Sequence, residues 1–424
     1  MNNVTSENII EEVTKFYLSS HDFNGISLSA LADKLKITIG EICESICRLI
    51  AEDLVGVLFS DSDVNPNIIR IGFEKKENQI EKLKQKTPPT AFIYPRPKHL
   101  NKVVDEKQYQ GNPYRLCLAL GEPQLAYRSF DLQVLEFYRN DPRYSYDNND
   151  VGGKIYCNSD EMQNSDRVFL QTFGFSYDAN FNRAVAVFLR YLSNLSSEHQ
   201  QIWKAKELKG DFKLHPDYYR VSIIGDWPDR IPICSAFLKE LFIINQMANA
   251  MGRPKFFLQD FGEYGDNKPQ RFGFLIRTTL EEFNHFVLLL DKMLSDNINK
   301  KFFKNEVPYE NEIKRKDGKI EIQNKGTLQI LDEWIRKYFN TEDWGLWDKS
   351  IKSLRKIRKL RQKPAHEIDE NIFDQRYFKE QRELIIEAYS AIKILRLLFA
   401  NHPMVDAADI KMPTWLEEGQ IWTQ

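Results

Sequence analysis

Long apolar runs are missing from this chain of 424 residues; a run such as Phe286 to Leu290 falls far short of the ~20 residues a bilayer-spanning helix needs. The opening MNNVTSENIIEE has no cationic start followed by an apolar stretch, so no signal peptide is expected. Cysteine is scarce. Cys43, Cys47, Cys117, Cys157 and Cys234 are scattered and odd in number, which gives no disulfide framework and fits a reducing compartment. Cys43 and Cys47 lie one turn apart in a predicted helix, yet no further Cys or His follows at zinc-like spacing, so no metal site is expected. A dominant charge sign is missing as well: 59 Lys and Arg face 61 Asp and Glu, and the net charge is −2. Contact with nucleic acid must therefore rest on a local patch. No Walker loop, no GxGxxG after a strand, no HExxH and no GxSxG occurs, so phosphate-loop nucleotide hydrolysis is unsupported and no cofactor is expected. Internal repeats and low-complexity tracts are also absent. What remains is a globular, cytoplasmic protein long enough for two or three domains.

The pattern along the chain predicts a multidomain α+β protein. Residues 7–20 form an amphipathic helix carrying Ile9, Ile10, Val13, Phe16 and Tyr17 on one face. After the Asn24-Gly25 turn, Ser27 can cap a second helix, and Thr38 with Glu41 forms a capping box that opens a third. Alternating runs at 55–60 and 68–73 then predict a hairpin. The charged helix-former run 74–86, with Pro88, Pro89, Pro95 and Pro97 after it, predicts a helical spacer and an extended connector over 76–109.

Residues 110–275 carry mixed α/β signals. Strands are expected at 115–120, 154–157, 168–173, 184–188 and 272–276, with helices at 132–139 and 236–251. The segments 134–146 and 215–227 are dense in aromatic, Arg and Asp residues. Such clusters either line a ligand pocket or pack as partly buried turns with Arg-Asp pairs. From 278 the period becomes helical: one helix over 278–303, a polar stretch with the Asp317-Gly318 turn, then helices over 327–339, 350–363 and 374–398. The end of the chain, with Trp415 and Trp422, is expected to fold back as a strap.

The chemistry-bearing stretch is KSIKSLRKIRKLRQKPAH, Lys349 to His366. Ile351, Leu354, Ile357 and Leu360 keep one helical face apolar, while Lys349, Lys352, Arg355, Lys356, Arg358, Lys359, Arg361 and Lys363 make the rest cationic. Pro364 stops the helix, having no N–H to donate. Arg361 therefore falls in the last turn and His366 just beyond it. A fixed cation beside a titratable imidazole on a basic surface suits work on a phosphodiester. A second Arg-His spacing, Arg396 and His402 in RLLFANH, is read as a helix C-terminal cap that complements the dipole.

Two resemblances follow from these residues. Three helices followed by a hairpin over 1–75 resemble a winged helix-turn-helix domain. In that family the third helix reads the DNA major groove. Here Glu41, Glu44, Glu52 and Asp53 oppose a single Arg48 there, and Asp61 and Asp63 oppose Arg70 in the wing, so DNA binding is not expected. The C-terminal helices, with Arg361 and His366 in RQKPAH between the last two long ones, resemble the HEPN superfamily (higher eukaryotes and prokaryotes nucleotide-binding), whose signature is Arg followed after four to six residues by His. Gln362 stands where active members often carry Asn, Asp or His.

The HEPN resemblance covers about 275–402 and implies metal-independent RNA cleavage by 2′-OH transesterification. In that chemistry His366 exchanges protons and Arg361 holds the scissile phosphate. Lys352, Arg355, Lys356, Arg358, Lys359 and Lys363 would attract phosphates. It also implies a homodimer with a composite cleft, in an effector of the prokaryotic defence or toxin type. Two alternatives stay open: a non-catalytic HEPN-like module binding a nucleotide or a protein, and a winged-helix DNA-binding regulator. The expected division is 1–75 winged helix, 76–109 linker, 110–275 central α/β domain with a sensing role, and 276–424 helical bundle.

Overall fold

The computed structural model describes residues 5–85, 90–148, 151–159, 161–226, 230–265, 267–315, 317, 319–362, 370–408 and 410–422. The fold is mixed α+β with a helical C-terminal region. The chain divides into two compact units, Met1–Tyr146 with Gly152–Asp226, and Asp147–Val151 with Trp227–Gln424.

The first unit begins with α1 (Ser6–Ser19), β1 (Ile26–Ser27), α2 (Leu28–Leu35), α3 (Ile39–Ala51) and β2 (Val55–Phe59). The caps form where the sequence puts them. Ser27 Oγ accepts from the Ala30 N–H, and Thr38 and Glu41 satisfy each other's backbone donors. Ile9, Val13, Leu31, Ile42, Ile46 and Ile50 then close a core against the sheet. Gly25 is needed at its turn, because a Cβ there would lie 2.5 Å from the Tyr94 ring.

The partner of β2 is not the expected strand at 68–73. It is β3 (Ala91–Pro95), reached through α4 (Lys76–Leu83), and the antiparallel order is β1-β3-β2. The stretch expected as a linker therefore supplies the central strand. Pro95 is tolerated because it ends the strand, where no ladder donor is required. Residues 68–73 are held differently. The buried Gln124 side chain accepts from the Ile69 N–H at 2.8 Å and donates to the Phe23 carbonyl at 2.6 Å. Gln124→Leu strands both groups and is expected to destabilise this unit by about 1–3 kcal/mol. A urea titration showing less than ~0.5 kcal/mol would remove that role from Gln124.

After α5 (Pro97–Val103) comes α6 (Pro113–Ala119), where a strand was expected; Pro113 at the first helical position favours the helix. Around the helices α7 (Val134–Arg139), α8 (Leu189–Leu192) and α9 (Ser197–Lys204) runs a second sheet. Its strands are β4 (Tyr127–Phe130), β5 (Tyr144–Asn148), β6 (Gly152–Cys157), β7 (Phe169–Tyr177), β8 (Arg183–Phe188) and β9 (Lys213–Leu214). The order is β4-β8-β7-β6-β5, with β9 on β7.

In the aromatic-rich segments Tyr138, Tyr144, Tyr146 and Tyr218 are buried, whereas Phe137 and Tyr219 are exposed and Trp227 lies outside the described residues. Trp203 Nε1 donates to Tyr138 Oη at 2.8 Å, and that oxygen lies 2.9 Å from His199 Nδ1. Burial holds His199 below its ordinary pKa, although Asp166 pulls the other way. Tyr218, on α10 (Pro216–Tyr219), stacks on Phe188 and fills the space a Cβ on Gly174 would need.

The second unit takes in α11 (Ile233–Ala250), α12 (Leu280–Met293), α13 (Thr327–Tyr338), α14 (Gly345–Gln362) and α15 (Arg376–Ala400) around one apolar core. The helical unit thus includes α11, expected in the central domain. Residues 272–276 form no strand; Gln381 holds them by donating to the Gly273 carbonyl at 2.6 Å and accepting from the Leu275 N–H at 3.3 Å. The single helix expected over 278–303 stops at Met293. Ser295, Asp296, Asn297 and Asn299 follow, residues whose side chains compete for backbone groups. Asn297 does so, donating to the Met293 and Gln259 carbonyls.

The polar stretch after residue 301 holds an antiparallel hairpin, β11 (Glu310–Lys314) with β12 (Ile320–Asn324). α16 (Pro403–Asp406) and α17 (Thr414–Glu417) lead to the end of the chain. There β13 (Ile421–Trp422) pairs in parallel with β10 (Ile231–Pro232), as a strap. No described helix is long and apolar enough to cross a membrane.

Candidate functional site

α14 buries Trp347, Ile351, Leu354 and Ile357 against its neighbours, so the apolar stripe read from the sequence is the buried face. Its cations fan out in three directions. Arg355 meets Asp332 of α13 at 2.9 Å, and Lys356 meets Glu387 of α15 at 2.7 Å. Arg358 and Arg361 reach the end of α12. Arg358 Nη1 donates to Ser295 Oγ at 2.7 Å and to Asp296 Oδ1 at 3.3 Å. Arg361 Nη1 donates to Asp291 Oδ2 at 2.7 Å and also to Asp296. Ser295 Oγ donates in turn to Asp291, which is fully buried.

These bonds define what Arg361 is able to do. Those to Asp291, and next those to Asp296, push its pKa further above the ordinary arginine value, so it is a permanent cation. Both carboxylates take the same terminal nitrogen. Nε and Nη2 donate to nothing among the described residues, so the guanidinium is oriented by one corner and presents another edge. Because Asp291 is out of water, losing its cation would leave an uncompensated buried charge, a loss of about 3–5 kcal/mol.

Lys349, Lys352 and Lys359 are exposed, and none makes an ion pair among the described residues. With Lys356 they recur at alternating intervals of three and four and so share a flank of the helix. Of the residues expected to attract phosphate, Lys352 and Lys359 are open. Arg355, Lys356 and Arg358 are engaged by carboxylates in partly exposed pairs, each worth about 0–1 kcal/mol and exchangeable for phosphate. Lys363 and His366 lie outside the described residues, as do Pro364, Glu367 and Asp369.

The second Arg-His spacing is not a helix C-terminal cap. Arg396 is buried, and its Nε donates to Glu240 Oε2 of α11 at 2.5 Å, while His402 caps the start of α16 by accepting from the Met404 N–H. The residues that sequence reading missed are Asp291, Ser295 and Asp296. Their only local signal is a pair of carboxylates flanking a serine at a helix end. Their partners lie more than sixty residues away in the chain.

No family model, no curated protein and no solved structure matches this chain.

Proposed function

We propose that the C-terminal unit is a HEPN-type endoribonuclease that cleaves RNA by 2′-OH transesterification without a metal. The observation that carries this reading is Arg361, in the last turn of a lysine-rich helix, held by Nη1 with Nε and Nη2 donating to nothing among the described residues, five residues before His366. An imidazole with an ordinary pKa near ~6.5 exchanges a proton at neutral pH. A guanidinium edge offsets charge that develops on phosphate oxygens. The 2′-hydroxyl requirement makes the activity RNA-selective. On the same reading, two copies pair their helical units to form a composite cleft, and the protein acts as a defence or toxin effector.

The N-terminal helices with the antiparallel order β1-β3-β2 support a winged-helix reading for that region, with α4 inside an enlarged wing. The exposed face of α3 carries Glu41 and Glu44 beside Arg48, which favours a packing role over DNA binding. A second reading, a HEPN-like module that binds without cleaving, draws on the two carboxylates that already offset Arg361.

Cleavage of labelled RNA against a matched DNA, in a chelator, tests the proposal. Binding tests the lysine flank separately. Replacing Lys352 and Lys359 with Ala together is expected to reduce the salt slope of single-stranded RNA affinity by about 1.4, at ~0.7 for each phosphate no longer neutralised. An unchanged slope would place the RNA elsewhere.

A further inference from the structure

Cys43 and Cys47 stand one turn apart on α3, and both line an open groove of about 900 Å³. Leu28, Ile39, Leu83 and Ala91 form its apolar walls, and Arg48 and Lys84 lie at it as cations. Both thiols are free, one buried and the other half-buried. Cβ atoms four residues apart on a helix are about 5–6 Å from each other. Two metal–sulfur bonds of ~2.3 Å each span about 4.6 Å, which is of the same order as that spacing.

We propose that this groove holds a two-thiolate site for a soft, linearly coordinated monovalent cation of the Cu(I) class. The donor set selects the ion. Zinc takes three or four protein ligands, and no group of three His, Cys, Asp or Glu that could hold a metal ion is found among the described residues. Hard cations need oxygen cages, which two sulfurs do not supply. Two thiolates alone suit a soft ion that is satisfied by two ligands. The binding step balances: two S–H bonds break, two Cu–S bonds form, two protons leave to solvent, and no electron is transferred. The resulting unit carries one negative charge, which Lys84 and Arg48 at the groove offset and Glu44, also lining it, opposes.

Burial pushes both thiols above the ordinary cysteine pKa; the Lys84 charge draws Cys47 down and the Glu44 charge pushes it up. The cysteine spacing alone gave no metal site; what the groove adds is access from solvent to the pair.

The test uses the reduced full-length chain under anaerobic conditions, with Cu(I) delivered from its coloured bicinchoninate complex. One equivalent of Cu(I) per chain is expected to leave the chelator, and equally for a variant with Cys117→Ser, Cys157→Ser and Cys234→Ser. Cys47→Ser and, separately, Cys43→Ala are expected to weaken uptake by at least ~100-fold. Far-ultraviolet circular dichroism confirms that each remains folded. Because Cys47 is half-buried, its serine variant decides the matter if Cys43→Ala does not fold. No uptake by the wild type, full uptake by folded Cys47→Ser, or loss of uptake in the triple variant would each overturn the proposal.

Discussion

Arg396→Ala is expected to lower the unfolding free energy by about 3–5 kcal/mol. The side chain joins two helices of the C-terminal core, α11 and α15, through Glu240, and the carboxylate is fully buried. Without the guanidinium the charge has no partner, and Glu240 must fold protonated. Burial, the largest effect on it, already raises its pKa above the ordinary carboxylate value, while Arg396 opposes that rise. In the variant that opposition is gone and only the smaller pull of the Lys393 charge remains. A raised folded pKa gives stability that is complete below the unfolded value and is lost as pH rises through the folded one. The deficit of the variant should therefore be smaller at pH ~4.5 than at pH ~7.5. Replacing both partners with Leu should recover most of the loss, because the desolvation penalty of both charges disappears. Urea titrations at the two pH values read all three outcomes. A loss under ~1 kcal/mol for Arg396→Ala would mean that Glu240 reaches water.

Arg361→Lys separates the two tasks assigned to Arg361. A lysine ammonium still offers Asp291 a cation, so stability is expected to fall by no more than ~1.5 kcal/mol. It has no planar second edge, so RNA cleavage is expected to fall by about 100-fold. Arg361→Ala should lose both, with stability reduced by about 3 kcal/mol or more as Asp291 is left alone. If the lysine variant cleaves RNA at the wild-type rate, Arg361 is only a strut for the end of α12. Its bonds to Asp291 and Asp296 would then be its whole function.

Elements specified by neighbouring residues could be read from the sequence. The Thr38–Glu41 box and Ser27 set helix starts, and Ile351, Leu354 and Ile357 identify the buried face of α14. Alternation alone was not enough for strands. Residues 68–73 and 272–276 have strand-like patterns, yet Gln124 and Gln381 take over the backbone groups that a ladder would use. Neither glutamine announces this locally, since each acts on a segment fifty or more residues away. The central strand β3 was hidden by the prolines around it.

The site was legible in halves. Composition and spacing picked out the cationic helix and Arg361. The carboxylates that orient Arg361 come from the end of α12, and no local pattern ties Asp291 to a guanidinium seventy positions later. Arg396 shows the opposite failure, because its spacing to His402 imitates a motif while its side chain serves a buried ion pair.

The most direct test of the proposed function is cleavage of labelled RNA and a matched DNA by purified wild type and His366→Ala, side by side in EDTA. The account predicts that only the wild type cuts, that only RNA is cut, and that the chelator has no effect. Cleavage of RNA by His366→Ala at the wild-type rate would contradict it, and so would equal cleavage of the DNA.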